Sequence, residues 1–521
     1  MNLAALTLPA PARVWLAIDL LLVASAGALH SLPFVFTDAW TLQIGFVALL
    51  AWRVGSASPG RAALLGFTFG LFWLASGIWW LYISMHRYGG LAAWAAATAV
   101  LLLSAFMAIL LGAALGLYAR VRRGRPVTDA FRFAACWLLA ELVRGVLFTG
   151  FPWIASGYAH VDSPLAPLAP WIGVYGIGFV AALIAALIGT SIVALQTSPR
   201  AKLRNGVAAL AVAVVALVAL AWRGPLEFTR ATGTLQVSLL QSNVPQDEKF
   251  AAERVPQALV WLAEELHAAN ADLVVAPETA IPLLPEQLAP QYWDALVGQF
   301  RNSRRAALIG LPLGSFERGY TNSAAGLSRA AIAAPEGYYR YDKHHLVPFG
   351  EFIPLGFRWF TDLMSIPLGD FNRGPLVAPP FEVQGERVAP NICYEDLFGE
   401  ELGAHFANPA SAPTIFANLS NIGWFGDTIA IEQHLNISRM RSLEFQRPML
   451  RATNTGATAI IDHRGEVTRW LAPFTRGRVE GPVQGRDGAT PYARWVSVAN
   501  LWPLFALALL IVLPSLARRR P

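Results

Sequence analysis

Seven long apolar stretches occupy the first 222 residues of this chain of 521. They lie near residues 14–30, 33–51, 62–85, 91–118, 130–149, 171–196 and 205–222, and an eighth lies near 496–516. A helix crosses the bilayer core with about 20 mostly apolar residues, so each stretch is long enough to span a membrane. The chain is also only 14% charged, against roughly 25% in soluble domains. We therefore expect an α-helical polytopic membrane bundle with about eight spans.

Arginine is unevenly distributed among the loops between these stretches. Alternate loops hold Arg53 with Arg61, residues 119–132, residues 198–204 and the chain end, and the other loops carry almost no positive charge. Short loops rich in Arg and Lys stay in the cytoplasm. We therefore expect a multi-pass protein of the bacterial inner membrane with both termini cytoplasmic. The expected domains are a membrane domain with seven spans, a periplasmic domain, and a C-terminal span with its tail, at residues 1–222, 223–495 and 496–521.

The apolar pattern changes between residues 223 and 495. Short apolar runs bounded by turn residues, such as "ADLVVAPETA" and "ERVAPNICYED", alternate with longer polar stretches. This pattern is typical of an α/β or α+β domain with buried strands. Functional groups in such sheets collect just beyond the carboxyl ends of strands, and Glu278 and Cys393 both follow a predicted strand. Lys343 lies in a segment rich in turn residues and aromatics.

The side chains of Cys393, Lys343 and Glu278 can together activate a thiol nucleophile. The other cysteine, Cys136, lies in an apolar run, so we expect Cys393 to be a free thiol. Only three of the 40 basic residues are lysines, and a compact ammonium can point at one developing oxyanion. A thiol with a pKa of about 8.5 needs a base, which Glu278 supplies. The alternatives for the single residues are a buried spacer for Cys393, a solvated surface charge for Lys343 and a capping or ion-pairing carboxylate for Glu278, but their combination favours one site.

Three blocks of sequence carry a resemblance to a known superfamily. "APETA", "DKHHLVPFGEFIP" and "NICYED" resemble the Glu, Lys and Cys blocks of the nitrilase, or carbon–nitrogen hydrolase, superfamily. "SGIWWLYISMHRYGG", "ELVRGVLFTGFPWIASGY" and the stretch after the cysteine resemble the apolipoprotein N-acyltransferases, a membrane-fused family of that superfamily, along nearly the whole chain. The resemblance implies a nitrilase-like αββα sandwich in the periplasm and a catalytic triad of Glu278, Lys343 and Cys393.

The resemblance also implies the reaction. The sn-1 acyl chain of a phospholipid, typically phosphatidylethanolamine, moves to the α-amine of the N-terminal diacylglyceryl-cysteine of an apolipoprotein. Glu278 takes the thiol proton, and Cys393 attacks the ester carbonyl to form a thioester. Lys343 and the backbone N–H of Tyr394 meet the oxyanion. The lipoprotein amine then attacks the thioester, which makes the scheme ping-pong.

Further residues match family positions around this site. Glu351 is expected to orient Lys343 or to assist the base, and Glu395 to support the cysteine loop; a purely structural hydrogen-bond acceptor is the alternative for each. Trp424 is expected to line the acyl pocket. The family commonly has tryptophan where this chain has Phe250. The chain departs from the family residue here but keeps an aromatic side chain for substrate contact.

The segment 351–374 carries too many large apolar groups for an exposed loop of a soluble domain. With Phe357 and Trp359 at the lipid interface, where Trp is favoured, it is expected to act as a lid that admits acyl chains and excludes water. A flap packed permanently on the domain is the alternative. Its apolar members are Phe352, Ile353, Leu355, Phe357, Trp359, Phe360, Leu363, Met364, Ile366 and Leu368.

Two other functions remain open from the sequence. A membrane-tethered amidase or nitrilase would share the triad and transfer its acyl group to water. A transporter or scaffold would need ionisable residues in several spans, where only Glu141 and Arg144 stand out.

The histidines show no metal-ligand spacing, and no phosphate loop or basic nucleic-acid stripe occurs. We expect no metal, no cofactor, no nucleic acid and a monomer.

Overall fold

The computed structural model describes residues 10–197, 206–213, 215, 219, 226–333, 336–354, 356–361 and 370–517. Contacts divide the chain into two compact units. The first comprises Met1–Trp79, Trp94–Gly224 and Leu501–Pro521, and the second comprises Trp80–Ala93 and Pro225–Asn500.

The first unit is helical. Its main helices are Ala10–Leu29, Trp40–Val54, Pro59–Gly77, Ala93–Val121, Pro126–Val146, Ala169–Thr197 and Trp502–Ala517. Residues 206–213 are also helical. Short 3₁₀ turns join them at Leu32–Phe34, Thr37–Ala39, Leu147–Thr149, Ser156–His160 and Ala166–Leu168.

Fewer helices than expected are long and apolar enough to cross a membrane. Among the described residues there are three, Val14–Phe34, Ala93–Val121 and Ala166–Gln196, or up to five if two bent helix pairs each count as a span. The helix Trp40–Val54 has only 15 residues. Most of the stretch expected near 205–222 lies outside the described residues. The structure therefore supports three to five candidate spans.

The stretches predicted near 130–149 and 62–85 differ from simple spans for physical reasons. The helix Pro126–Val146 carries four charged side chains, and Arg144 Nη2 lies 3.7 Å from Glu141 Oε1, so these two buried residues pair with each other. The helix Pro59–Gly77 ends well before residue 85, and the chain bends by 60° into Leu81–Tyr88. The stretch predicted near 62–85 is therefore a bent helix pair, which counts as a candidate span only if both helices belong to it.

Residues 80–93 belong with the second unit. They form a helical turn, Leu81–Ile83, and a π-helix, Ser84–Tyr88. The indole of Trp80 is 1% exposed, and its Nε1–H donates to Gln433 Oε1 at 3.0 Å. The apolar side chain of Trp80 is thus covered by protein.

The second unit contains two six-stranded sheets. The strands are β1 Thr229–Gln241, β2 Leu273–Val275, β3 Ala306–Ser315, β4 Gly319–Leu327, β5 Tyr339–Asp342, β6 Phe381–Val383, β7 Glu386–Ile392, β8 Ile415–Ser420, β9 Met449–Thr453, β10 Ala459–Ile461, β11 Val467–Trp470 and β12 Gly477–Gly488. Their orders in the two sheets are β12-β1-β2-β3-β4-β5 and β11-β10-β9-β8-β7-β6. The pairs β1/β2, β2/β3, β7/β8 and β8/β9 are parallel.

The sheets face each other, and helices cover the outer face of each. Leu273 and Val275 pack into a core shared by both sheets, whereas Val274 between them packs against helices. This alternation explains the continuous apolar runs, because strands covered on both faces have no polar side. The αββα sandwich follows from it. The helices and helical turns of this unit, besides those of residues 80–93, are Val255–Ala268, Pro285–Gln287, Pro290–Arg301, Arg329–Ile332, Arg358–Thr361, Cys393–Leu397, Gly399–Ala404, Ile422–Phe425, Ala430–Phe445 and Pro491–Ala499.

Candidate active site

Glu278 lies three residues beyond the end of β2, with 8% of its surface exposed. Its Oε1 accepts from Asn322 Nδ2 at 2.7 Å, and its Oε2 accepts from the backbone N–H of Asn421 at 2.8 Å. The neighbouring strand β3 passes close by at Gly310, where a Cβ would meet the Pro277 carbonyl oxygen at 2.3 Å and Glu278 Cα at 2.7 Å. The carboxylate is therefore fixed by donors from two sheets and by a backbone approach that only glycine permits.

Lys343 directly follows β5 and is 1% exposed. Its Nζ lies 2.9 Å from Glu351 Oε1 and 3.7 Å from Glu278 Oε1. Burial alone would lower the pKa of Lys343, but the carboxylates of Glu351 and Glu278 outweigh it and raise that pKa above its usual range. Lys343 is therefore a permanent cation between two carboxylates.

Cys393 follows the last residue of β7 and begins the 3₁₀ turn Cys393–Leu397. Its φ is +53°, a left-handed conformation that residues other than glycine rarely adopt and that is common at functional sites. Burial raises the pKa of the Cys393 thiol to about 12; the Glu278 carboxylate adds to the rise and the Lys343 ammonium opposes it. The resting thiol is therefore protonated, and a nucleophilic attack has to transfer its proton to a base.

Glu395 ties the lysine loop to the cysteine loop. Its Oε1 accepts from the backbone N–H groups of His344 and His345, at 2.7 and 3.1 Å. Its Oε2 accepts from the backbone N–H of Ile392 at 2.6 Å and from Tyr341 Oη at 2.8 Å. Burial raises the pKa of Glu395 to about 7, although the Lys343 ammonium and these donors oppose the rise. The residues beside Lys343 and Cys393 are thus held by one buried carboxyl group.

Glu351 contacts the lysine, and its role in orienting Lys343 stays a prediction. Besides the Lys343 ammonium, its Oε1 accepts from Asn322 Nδ2 at 2.6 Å, and its Oε2 accepts from the backbone N–H of Val347 at 2.8 Å. One asparagine amide therefore bridges the carboxylates of Glu278 and Glu351. Tyr394, which supplies the expected oxyanion N–H, is 5% exposed and packs its ring edge against Phe398 at 5.2 Å.

Sequence reasoning missed three residues at this site. Asn322 stands in the middle of β4, and Asn421 follows β8. Lys249 Nζ donates to the Glu278 carbonyl oxygen at 3.0 Å, and burial lowers the pKa of Lys249 to about 8 although Glu278 opposes this. The available signals were an isolated asparagine inside a buried strand and the scarcity of lysine in the chain.

The expected substrate-binding aromatics lie at different depths. Trp424 is partly buried, with its ring centroid 5.9 Å from that of Tyr88. Phe250 is 50% exposed and Trp359 is 63% exposed. Phe357 contacts the ring of Phe349 at 5.4 Å. Their binding roles stay predictions. Of the expected lid, Leu355, Leu363, Met364, Ile366 and Leu368 lie outside the described residues, as does the side chain of Phe360.

The described part of the chain holds no group of three or more His, Cys, Asp or Glu side chains that could hold a metal ion.

Comparison with known proteins covers both units. The family model described as apolipoprotein N-acyltransferase N-terminal domain matches residues 26–187, and the carbon-nitrogen hydrolase model matches residues 236–487. The apolipoprotein N-acyltransferase of Verminephrobacter eiseniae is 54% identical over 88% of each chain. That of Ralstonia nicotianae is 45% identical over 96% of this chain and 93% of its own. This chain belongs to the apolipoprotein N-acyltransferase family and carries the carbon–nitrogen hydrolase domain in its second unit.

Proposed function

We propose that this chain transfers the sn-1 acyl chain of a phospholipid, typically phosphatidylethanolamine, to the α-amine of the N-terminal diacylglyceryl-cysteine of apolipoproteins. This is the last step of bacterial lipoprotein maturation. The observation that carries the proposal is that the buried Glu278 and Lys343 and the partly buried Cys393 follow strand ends of two facing sheets, in a chain of this family. A membrane domain in the same chain fits two substrates that are both anchored in lipid.

The first half-reaction forms a thioester. Glu278 takes the thiol proton as Cys393 Sγ attacks the ester carbonyl, because a thiol with a pKa of about 12 does not ionise alone at neutral pH. The tetrahedral oxyanion is stabilised by the Lys343 ammonium and the backbone N–H of Tyr394. The carbon–oxygen bond then breaks, and the lysophospholipid alkoxide leaves with the proton held by Glu278.

The second half-reaction makes the amide. The neutral α-amine attacks the thioester carbonyl, and Glu278 accepts a proton from the attacking nitrogen while the same donors hold the oxyanion. The carbon–sulfur bond breaks, and the Cys393 thiolate recovers its proton from Glu278. Water has to be excluded between the two steps, because hydrolysis would waste the acyl chain.

The surrounding residues take supporting roles in this scheme. Glu351 orients the Lys343 ammonium, which it contacts at 2.9 Å. Glu395 holds the lysine and cysteine loops together. Trp424 and Phe250 line the path of the acyl chain. The segment 351–374 forms the lid, with Phe357 and Trp359 exposed toward lipid.

The membrane arrangement is part of the same proposal. The domains are a seven-span membrane domain, a periplasmic catalytic domain and a C-terminal span with its tail, at residues 1–222, 223–495 and 496–521. Both termini face the cytoplasm, as the arginine-rich loops predict. The enzyme acts as a monomer.

The decisive experiment is to capture the acyl-enzyme. Purified protein in detergent is incubated with phosphatidylethanolamine, and the mass of the peptide containing Cys393 is measured before and after adding a diacylglyceryl peptide. The wild type and Cys136→Ala should gain one acyl group and pass it to the peptide amine, whereas Cys393→Ala and Cys393→Ser should gain none. Release of the acyl group as free fatty acid with the peptide present would identify a hydrolase, and acyl transfer by Cys393→Ala would exclude the thioester.

A further inference from the structure

The backbone carbonyl of Cys393 is held by two buried side chains. Asn418 Nδ2, on β8, lies 3.2 Å from this oxygen, and His434 Nε2, on the helix Ala430–Phe445, lies 3.3 Å from it. Asn418 is 0% exposed and His434 is 1% exposed. Neither side chain has a role in the acyl-transfer scheme above.

Neighbouring charges fix the proton on His434. Arg451 Nη2 lies 2.9 Å from His434 Nδ1, and a guanidinium can only donate. Nδ1 is therefore the acceptor, and the ring proton is on Nε2. Burial and the Arg451 charge lower the pKa of His434, although Asp396 opposes this, so the ring is neutral. The Nε2–H is shared between the Cys393 carbonyl and Asp396 Oδ1, which lies 2.9 Å away.

Asp396 and Arg451 are held in turn. Asp396 Oδ2 accepts from Ser438 Oγ at 2.5 Å and from Arg451 Nη1 at 3.4 Å. Arg451 Nη1 also donates to Asn418 Oδ1 at 3.4 Å. The anion and the cation are both 0% exposed, and they neutralise each other. The set orients a dipole without adding net charge beside the thiol.

Peptide geometry links this carbonyl to the oxyanion site. In a trans peptide the C=O and the N–H lie in one plane and point in opposite directions, and no described peptide is cis. The C=O of Cys393 and the N–H of Tyr394 belong to one peptide. The two hydrogen bonds that hold this C=O therefore also set the direction of the Tyr394 N–H.

We propose that His434, kept in its Nε2–H form by Arg451 and Asp396, is a positioning residue that aims the Tyr394 N–H at the oxyanion by holding the Cys393 carbonyl. Asn418 holds the same oxygen from β8. This inference rests on the proposed function for the role of the Tyr394 N–H. The buried side chains of His434, Asp396, Arg451 and Asn418 therefore serve the oxyanion site and do not activate the thiol.

The test compares two amides at position 434. In His434→Gln the amide N–H reaches the position of Nε2, whereas in His434→Asn the side chain is too short to reach the Cys393 carbonyl. Acylation of Cys393 by p-nitrophenyl butyrate proceeds through an oxyanion, and alkylation by iodoacetamide proceeds at a saturated carbon without one. Both rates are measured from pH 6 to pH 10 on the full chain in detergent.

We expect His434→Asn to lose about 10²-fold in acylation, as for one misplaced oxyanion donor, with alkylation and its pH profile unchanged. His434→Gln should keep most of the acylation rate. Equal losses in acylation and alkylation for His434→Asn, or normal acylation by it, would overturn the proposal. So would a His434→Gln variant as slow as His434→Asn. Because the ester is soluble and needs no acceptor, these outcomes are independent of whether phospholipid is the donor.

Discussion

Two substitutions of Lys343 distinguish the role of its positive charge from the role of its single, compact donor group. Methionine removes the charge, and arginine keeps the charge but changes the shape of the donor. The ammonium is 1% exposed and lies 2.9 Å from Glu351 and 3.7 Å from Glu278. Methionine fills a similar volume and leaves the two carboxylates without their cation. Arginine keeps the charge, but its larger planar fork cannot place a single donor at the same point.

The two substitutions should differ in stability and agree in rate. Removing one partner of a buried pair costs about 3–5 kcal/mol, which for a domain of this size lowers Tm by roughly 6–20 °C. Lys343→Met should show a loss of that order, and Lys343→Arg a smaller one. Because both lack the oxyanion donor, both should lose about 10²–10³ in acyl-transfer rate.

The assay measures N-acylation of a diacylglyceryl peptide under single-turnover conditions, with the apparent Tm of each variant measured in the same detergent. Lys202→Arg supplies a matched control, because it makes the same exchange in a loop expected in the cytoplasm. Near-normal turnover by Lys343→Arg would refute the assignment, because a general positive charge would then suffice. A Lys343→Met variant as stable as wild type would refute the ion-pair reasoning.

Gly310→Ala should lower acyl transfer by about 10²-fold, because its Cβ would displace Glu278; Gly298→Ala, with open space around its Cβ, should be silent, and normal turnover by Gly310→Ala would contradict the argument. Burial raises the pKa of Glu400 from 4.5 to about 7, so its contribution to stability is complete below about pH 4.5 and is lost as the pH rises through 7. Glu400→Gln should therefore raise the apparent Tm at pH 8 and not at pH 5, and an equal gain at both would argue against this. Phe357→Ser combined with Trp359→Ser should slow the use of bilayer phospholipid much more than the use of a short-chain soluble thioester; equal loss with both donors, or a large fall in Tm, would favour a packed flap.

The sequence by itself determined the kind of fold of the second unit and pointed to Glu278, Lys343 and Cys393 as candidate site residues. Strands covered on both faces give continuous apolar runs, and reactive side chains follow where those runs end, so Glu278 and Cys393 stand out locally. The sequence motifs also indicated the family, because each motif is a short block that contains a reactive residue together with its neighbours in the chain.

Tertiary structure alone decided which residues support that site. Asn322 bridges Glu278 and Glu351 only because β4 brings its amide between two carboxylates that lie 73 residues apart in the chain. The same holds for His434 and Arg451, which meet the Cys393 loop from a helix and a strand. A periodic sequence pattern does not predict such contacts, because the hydrogen-bond partners of a buried polar residue are distant from it in the sequence.

The segment 80–93 shows the same limit for apolar residues. The hydropathy pattern placed the first part of this segment at the end of a membrane span. An apolar side chain has the same hydropathy whether lipid or protein covers it, so the pattern cannot distinguish the two environments. The structure buries Trp80 in the second unit and pairs its indole with Gln433. A hydropathy pattern therefore determines that a residue leaves water, and only the packing of the folded chain decides what replaces the water.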